Sequence, residues 1–313
     1  MRTRRLGAAV IVTSALLTAA ACGGGGTSDT GNAGVKPAET APGQRTAGKV
    51  KAPPKFAQPG TITFCSTFTN PPRSFTQDGK QVGSEVELGQ ALAATLGLKP
   101  KWVQVRVDGI VASLLGGHCD MIVSQLKIVP ERDKTAWQLP YSIAATQLVV
   151  ASGNPKKIKD FSSLAGKKVA APDGSVAHGL LEDMNKKLAS SGGEPINIVP
   201  LAGTSELFQQ VAAGTVDAAA TTYSAGSYYL RKAPGRLELA GQPCLSDVKA
   251  GGKMGFMIAK NNRDLYTAME QAMTAVRGSG EYRDIFHRYG LDKETLDAAE
   301  TSKPVSCLPA ETP

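Results

Sequence analysis

The chain has 313 residues, 42% of them hydrophobic and 20% charged, with a formal net charge of +8. This composition is typical of an ordinary folded α/β protein. The basic residues are scattered in pairs such as Lys156-Lys157 and form no stripe with interleaved aromatics, so nucleic acid is excluded as an expected partner.

The first residues are typical of a secretory signal peptide. A basic start, Met1 to Arg5, precedes an apolar run from Leu6 to Leu17 that is too short to cross a bilayer, and small residues follow. The stretch from Leu17 to Cys22 resembles the lipobox of bacterial lipoproteins, where the Cys is acylated and becomes the first residue. The resemblance implies that residues 1–21 are removed and that Cys22 anchors the protein to the outer face of the cell membrane. The alternative is an ordinary signal peptide with a stray Cys.

Residues 22–59 are rich in Gly, Thr, Ser, Ala and Pro, and Phe56 is their one aromatic residue. Such a segment buries too little apolar surface to fold, so we predict a disordered tether. The folded part is expected over residues 60–292, and residues 293–313 are expected to form a C-terminal tail.

Strands and helices alternate from Thr61 onward. A short apolar strand at 61–65 is followed by Ser84-Glu85-Val86-Glu87, the pattern of a capping box at the start of a helix. A second strand at 101–105, a helix at 110–115 and a buried strand at 120–124 complete a β-α-β-α-β order, which predicts a parallel sheet covered on both faces. A second unit of the same kind follows between residues 147 and 240, and a late strand and two helices close the chain.

Four cysteines remain after Cys22: Cys65, Cys119, Cys244 and Cys307. An even number in an exported protein indicates two disulfides, for which three connectivities are possible. We favour Cys65–Cys119 with Cys244–Cys307. The alternative is a metal site, but there is no CxxC spacing and there are only three histidines, so neither a metal nor a cofactor is predicted.

Between residues 60 and 292 the chain resembles the family-3 periplasmic binding proteins, most of which bind polar amino acids for ABC importers. The resemblance rests on short stretches in the family's order, namely 70–72 (Asn-Pro-Pro), 83–88 (Gly-Ser-Glu-Val-Glu-Leu), 108–114 (Asp-Gly-Ile-Val-Ala-Ser-Leu), 119–124 (Cys-Asp-Met-Ile-Val-Ser), 129–132 (Val-Pro-Glu-Arg), 164–169 (Leu-Ala-Gly-Lys-Lys-Val), 214–218 (Gly-Thr-Val-Asp-Ala) and 280–286 (Gly-Glu-Tyr-Arg-Asp-Ile-Phe).

The resemblance implies a two-lobed, type II binding-protein fold with one doubly wound sheet in each lobe and two strands crossing between them. Lobe 1 would comprise residues 60–145 and 252–292, and lobe 2 residues 146–251. A monomer would capture a small polar solute with a carboxylate in the interlobe cleft and deliver it to ABC permease subunits.

Site residues follow from the same resemblance. Arg132 matches the arginine that grips the ligand carboxylate, because its planar fork suits a carboxylate. The other matched positions are Ser124, Gln125, Lys127, Thr67, Asn70, Val107, Ser175, Val176 and Thr222.

Several of these positions depart from the family pattern. Thr222 and Thr67 stand where amino-acid binders have acids, Asn70 and Val107 replace aromatics, Val176 replaces a Thr, and Lys127 replaces a small polar residue. Lys127, with Arg73 expected near the cleft mouth, adds positive charge. An ammonium without a carboxylate partner is costly to desolvate, so the ligand need not be a standard α-amino acid; alternatively, another acid of the chain binds the ammonium.

Two other classes of function are compatible with this fold. One is a sensor or adaptor with the same fold, and the other is a dehydratase-type enzyme. The sequence contains no Ser/His/Asp arrangement, Gly-x-Ser-x-Gly or phosphate loop, so no enzyme is predicted.

Overall fold

The computed structural model describes residues 41–54, 56, 58–201, 204–245, 252–301 and 306–307. The predicted signal peptide (1–21) and Cys22 lie outside the described residues. Within the described ranges, no helix is both long and apolar enough to span a membrane.

The first lobe is built on a five-stranded sheet. The elements of this lobe are, in chain order, β1 (Thr61–Ser66), β2 (Thr69–Asn70), β3 (Ser74–Gln77), β4 (Lys80–Val82), α1 (Ser84–Thr95), β5 (Lys99–Gln104), α2 (Ile110–Leu115), β6 (Met121–Ile122) and β7 (Ala136–Ile143).

The chain then forms the second lobe and returns to the first. The second lobe holds β8 (Thr146–Ala151), β9 (Lys168–Pro172), α3 (Val176–Ser190), β10 (Asn197–Leu201), α4 (Thr204–Ala212), β11 (Ala218–Thr222), α5 (Tyr223–Lys232) and β12 (Leu237–Cys244). The return supplies β13 (Lys253–Ala259), α6 (Arg263–Gly278), α7 (Glu281–Arg288) and α8 (Leu296–Thr301).

The two five-stranded sheets are mixed rather than parallel, and β2, β3 and β4 form a small antiparallel sheet of their own. The first has the order β5-β1-β6-β13-β7, with β13 antiparallel to its two neighbours. The second has the order β10-β9-β11-β8-β12, with β8 antiparallel to β11 and β12. The parallel prediction is confirmed for the first β-α-β-α-β unit, because β1 pairs in parallel with both β5 and β6. It also holds for β9, which pairs in parallel with β10 and β11. It is wrong for β8, the first strand of the second unit, because only Ala144 and Ala145 separate β8 from β7 and no crossover helix precedes it.

Helices cover both faces of each sheet. In the first lobe, α1, α6 and α7 pack on one face through residues such as Leu92 and Phe286, and α2 packs on the other through Leu114. In the second lobe, α3 packs on one face and α4 on the other. Buried side chains on both faces explain why the strands read as continuous apolar runs.

The predicted capping box is wrong. Gly83, not Ser84, is the N-cap of α1, and its φ of 129° is a conformation that side chains disfavour. A Cβ at Gly83 would lie 2.1 Å from the Arg73 carbonyl oxygen. Glu87 has no capping role, because its carboxylate binds Arg288 and the hydroxyl of Tyr289 instead.

The predicted tether is too long at its C-terminal end. Residues 42–50 pack against the first lobe, where the N–H groups of Gly48 and Val50 donate to the carbonyls of Ala94 and Thr95 at the end of α1 (2.9 and 3.1 Å). The last carbonyls of a helix lack partners within it, so this segment gains structure by pairing with the helix end and needs little apolar surface of its own.

The predicted C-terminal tail is also partly folded. Glu294 is fully buried, α8 follows it, and Cys307 is disulfide-bonded to Cys244. The second disulfide joins Cys65 to Cys119, so the favoured pairing is confirmed. We refer to Cys244–Cys307 as the hinge disulfide and to Cys65–Cys119 as the first-lobe disulfide.

Candidate functional site

A cavity of about 290 Å³ lies where the chain crosses between the two lobes. Its volume is close to the lower end of the range for small-molecule sites, which suits a solute of amino-acid size. The described residues that line it come from both lobes and from the crossing, and are Gln125, Lys127, Ala144, Ala145, Thr146, Pro172, Ser175, Val176, Ala177, Thr221, Thr222 and Met254.

Two helices of the second lobe begin at this cavity. Ser175 is the N-cap of α3, and its hydroxyl accepts a hydrogen bond from the N–H of His178 (3.1 Å). Thr222 is the N-cap of α5, and its hydroxyl accepts from the N–H of Ala225 (3.2 Å). The unpaired N–H groups and the positive dipole end of each helix favour an anionic group at this wall.

Lys127 faces these helices from the first lobe. The segment around it is held to β13, because the N–H of Ile128 donates to the carbonyl of Lys253 (3.0 Å) and the carbonyl of Leu126 accepts from Gly255 (2.9 Å). Arg132 is half-buried and does not line the cavity; its Nη1 donates to the Lys127 carbonyl (2.6 Å). Arg132 therefore supports the backbone of Lys127 in this structure.

Three other predicted site residues form one hydrogen-bonded group. The hydroxyl of Thr67 accepts from Nδ2 of Asn70 (3.2 Å) and lies 3.4 Å from the hydroxyl of Ser124. Thr67 and Ser124 are buried. Thr67 also lines a second, more open cavity of about 530 Å³, together with Thr69, Gln104, Val105, Arg106 and Asp108.

The sequence-predicted residues thus divide into sets. Gln125, Lys127, Ser175, Val176 and Thr222 share the smaller cavity. Thr67, Asn70 and Ser124 lie together, and Arg132 lies behind Lys127. For Val107, the structure describes the backbone, in a 3-10 turn at Val107–Gly109; its side chain lies outside the described part.

Sequence reasoning missed the crossing residues. Ala144, Ala145 and Thr146 line the cavity, and so do Pro172, Thr221 and Met254. Their types carry no chemical signal. The one usable signal was position, because they precede or follow buried strands at the predicted change of lobe.

The crossing is held by a buried ion pair that the sequence did not predict. Nη2 of Arg73 lies 2.6 Å from the Glu294 carboxylate, and both side chains are buried (1% and 0% exposed). The other oxygen of Glu294 accepts from the N–H of Ala145 (3.2 Å). Arg73 is therefore buried and not at the cleft mouth, so the expectation that it adds charge there is wrong. Its Nη2 donates to the Glu294 carboxylate and to the Ile143 carbonyl.

Burial shifts the protonation equilibria around the crossing. It raises the pKa of the Glu294 carboxyl, while Arg73, the Ala145 N–H and the Ser224 side chain oppose the shift. For Arg73, burial lowers the pKa, but the charges of Glu294, Tyr141 and Glu85 more than compensate and raise it.

Comparison with known proteins defines the family. The profile of the bacterial extracellular solute-binding proteins, family 3, matches residues 62–292. The chain belongs to this family. The L-cystine-binding protein of Escherichia coli K12 is 27% identical over 241 residues, covering 76% of this chain and 86% of the relative. The L-arginine-binding protein of Pseudomonas aeruginosa PAO1 is 26% identical over 244 residues, covering 75% and 90%.

Solved structures agree with this assignment. An ancestral arginine-binding protein bound to arginine has a TM-score of 0.57 and 29% identity, covering 74% of this chain and 98% of its own. An ancestral cationic amino acid solute-binding protein has a TM-score of 0.61 and 26% identity, covering 74% and 95%. The family assignment and the two-lobed type II fold are thus confirmed. The curated relatives are named as binding proteins, which agrees with the prediction that the chain is not an enzyme.

Proposed function

We propose that this family member is the extracytoplasmic substrate-binding protein of an ABC importer, lipid-anchored through Cys22, and that it captures a small polar solute bearing a carboxylate. The cavity between the lobes carries the proposal. Two helix N-termini and the Lys127 ammonium meet there, and together they suit a negatively charged group.

The chemistry shared by the relatives' ligands supports a carboxylate. The relatives are named for L-cystine and L-arginine, and others for lysine, arginine and ornithine or for histidine. All of these carry an α-carboxylate, whereas their side chains differ in charge and size. We infer that the α3 and α5 ends receive the carboxylate and that the first-lobe side of the cleft discriminates among side chains.

Two ligand classes follow from the residues of the cleft. One is an unmodified amino acid, whose ammonium would be bound by an acid of the chain. The other is a keto, hydroxy or dicarboxylic acid, for which Lys127 is the partner of a second oxygen. The charge of Lys127 favours the second class, since its neighbour Arg132 adds to the positive potential of the same wall.

Titration calorimetry with L-arginine, L-cystine, L-glutamate and a series of keto and dicarboxylic acids tests the proposal. We expect at least one of these solutes to bind. Lys127→Met should weaken its affinity about tenfold or more, the free energy of one charge-assisted hydrogen bond. Lys134→Met is the matched control, because Lys134 is exposed and does not line the cavity. Arg132→Ala should weaken binding less than Lys127→Met, because Arg132 acts through the Lys127 backbone and does not line the cavity. Equal effects of the two lysine variants would contradict the assigned pocket.

The anchor and the transport role need cellular measurements. Labelling with a palmitate analogue should mark the parent protein in the membrane fraction, and Cys22→Ala should release it unlabelled into the medium. Deleting the gene should abolish uptake of the solute identified by calorimetry. Unchanged uptake would favour the sensor or adaptor role instead.

A further inference from the structure

The C-terminal segment (residues 291–307, of which 302–305 lie outside the described part) joins the two lobes at a third place. It leaves the first lobe at the end of α7, and the 3-10 turn Asp292–Glu294 and α8 follow. Its far end is bonded to the second lobe, because Cys307 forms the hinge disulfide and its N–H donates to the Leu245 carbonyl (3.0 Å).

The hinge disulfide lies beside the crossing. Cys244, its partner in the second lobe, is the last residue of β12 and pairs with Thr146, the first residue of β8. Thr146 lines the cavity. The hinge disulfide therefore ties the C-terminal segment to the second lobe next to the crossing.

Glu294 contacts the crossing from the other side. Its carboxylate accepts from the Ala145 N–H, and its backbone carbonyl accepts from the Ser142 hydroxyl (2.7 Å). The Ala145 carbonyl in turn accepts from the N–H of Tyr223 in the second lobe (2.9 Å). One buried carboxylate is therefore linked to both lobes through the two polar groups of a single crossing residue.

Helix α5 of the second lobe rests on the same region. Nη2 of Arg231 donates to the Tyr289 carbonyl (2.5 Å), and the Lys293 ammonium lies 5.8 Å from the centre of the Tyr223 ring. These contacts place the C-terminal segment between the lobes on the hinge side of the molecule.

We propose that Glu294 is a positioning residue of the cleft, which holds Ala145 in the geometry that the solute-binding state requires. Hinge residues absorb the backbone rotation when lobes open and close, so a buried hydrogen bond to the N–H of a hinge residue raises the free energy of that rotation. The C-terminal segment presents Glu294 at the crossing because it is fixed at α7 and at the hinge disulfide. Its effect on affinity rests on the proposed function, since only a binding-competent fraction of molecules captures solute.

Hydrogen exchange of the solute-free protein tests the contact directly. In Arg73→Met/Glu294→Met both charges are removed together, so no unpaired charge is left buried. We expect the Ala145 amide to exchange about tenfold faster or more in this variant. The amide of Ala219, in the middle of the second sheet, should keep its rate. Arg73→Met/Glu294→Gln, which retains an oxygen acceptor for the Ala145 N–H and leaves no unpaired charge buried, should give a smaller increase.

The two disulfides provide a matched comparison. They span 63 and 54 residues, so replacing either pair by serine should lower the unfolding midpoint by similar amounts. Only loss of the hinge disulfide should speed exchange at Ala145 and broaden the distribution of molecular dimensions seen by X-ray scattering. Equal exchange in both disulfide variants, or an unchanged Ala145 rate in the charge-pair variant, would overturn the proposal.

Calorimetry separates this inference from the proposed function. With L-arginine, L-cystine or L-glutamate, whichever binds the parent protein most tightly, the dissociation constant should rise in the charge-pair and hinge-disulfide variants and not in the first-lobe disulfide variant. Faster exchange with an unchanged dissociation constant would refute the positioning role. If none of the three binds the parent protein, the proposed function loses support, and the exchange comparison alone decides whether Glu294 holds the crossing.

Discussion

Replacing Thr46 by valine tests whether residues 42–50 are a folded part of the first lobe. The hydroxyls of Thr46 and Thr95 are 2.7 Å apart, and both residues are fully buried. Thr95 already donates its one hydroxyl proton to the Ala91 carbonyl (2.8 Å), so Thr46 must be the donor between the two. Valine matches the shape of threonine and removes only the hydroxyl.

The magnitudes follow from this direction of donation. Thr46→Val removes a donor and leaves Thr95 with its own proton satisfied, so we expect the free energy of unfolding to fall by about 1 kcal/mol. Thr95→Val leaves the Thr46 proton buried without an acceptor, which should cost about 2 kcal/mol. The double variant should lose less free energy of unfolding than the sum of the two single variants, because both hydroxyls are absent and no proton is left without an acceptor.

Urea denaturation followed by circular dichroism measures these differences as shifts of the midpoint at constant slope. Arg45→Ala is the control from the same segment. Arg45 pairs with Asp284, but both side chains are about half exposed, so its loss should cost less than about 0.5 kcal/mol. If Thr46→Val leaves the midpoint unchanged and the double variant equals Thr95→Val, the segment is not docked in solution and the reasoning fails.

Three further predictions concern stability. Loss of either disulfide should cost about 4 kcal/mol, from the chain entropy of loops spanning 54 and 63 residues, and calorimetric unfolding measures it; a loss below about 1 kcal/mol would contradict the entropic reasoning. Burial raises the pKa of the Glu85 carboxyl above 4.5, and the Arg73 charge and the Tyr141 hydrogen bond offset this shift only in part. A raised folded pKa favours the protonated form, so the contribution of Glu85 is complete below about pH 4.5 and is lost as pH rises through the raised value; the thermal midpoint should fall as pH rises from about 4.5, and Glu85→Gln should reduce this fall. Leu92→Ala in the fully buried core should cost about 2–5 kcal/mol and Leu115→Ala, half exposed, less than about 0.5 kcal/mol, as chemical denaturation can check.

Several elements could be predicted because their signal is local. Strands β1 and β5 lie within two residues of their predicted bounds, 61–65 and 101–105, since a short apolar run marks each of them. Strand β7 was missed, because Pro140 interrupts its apolar pattern. The structure explains the exception: β7 is an edge strand of the first sheet, where a residue without an N–H is tolerated.

The candidate site was predictable in part, and there is a physical reason why some of its residues could be named from the sequence and others could not. Gln125, Lys127, Ser175, Val176 and Thr222 were named through the family resemblance, and they share the cavity because positions that follow strands or begin helices converge at one edge of an α/β sheet. Ala144 and Ala145 were missed because alanine carries no chemical signal; they matter only for where the chain changes lobe. The burial of Arg73 could not be predicted either, since its partner Glu294 is 221 residues away in the sequence.

The sequence by itself determined the fold class and the family, and it predicted the export signal, because each is written in short-range patterns. Its cysteine count indicated two disulfides, and the structure decided their pairing. Tertiary structure decided which residues share a cavity, that residues 42–50 and 294–301 belong to the folded body, and that Arg73 is buried. These depend on contacts between distant segments. A buried charge or a backbone N–H is stable only when its partner arrives from elsewhere in the chain, and no local pattern specifies that partner.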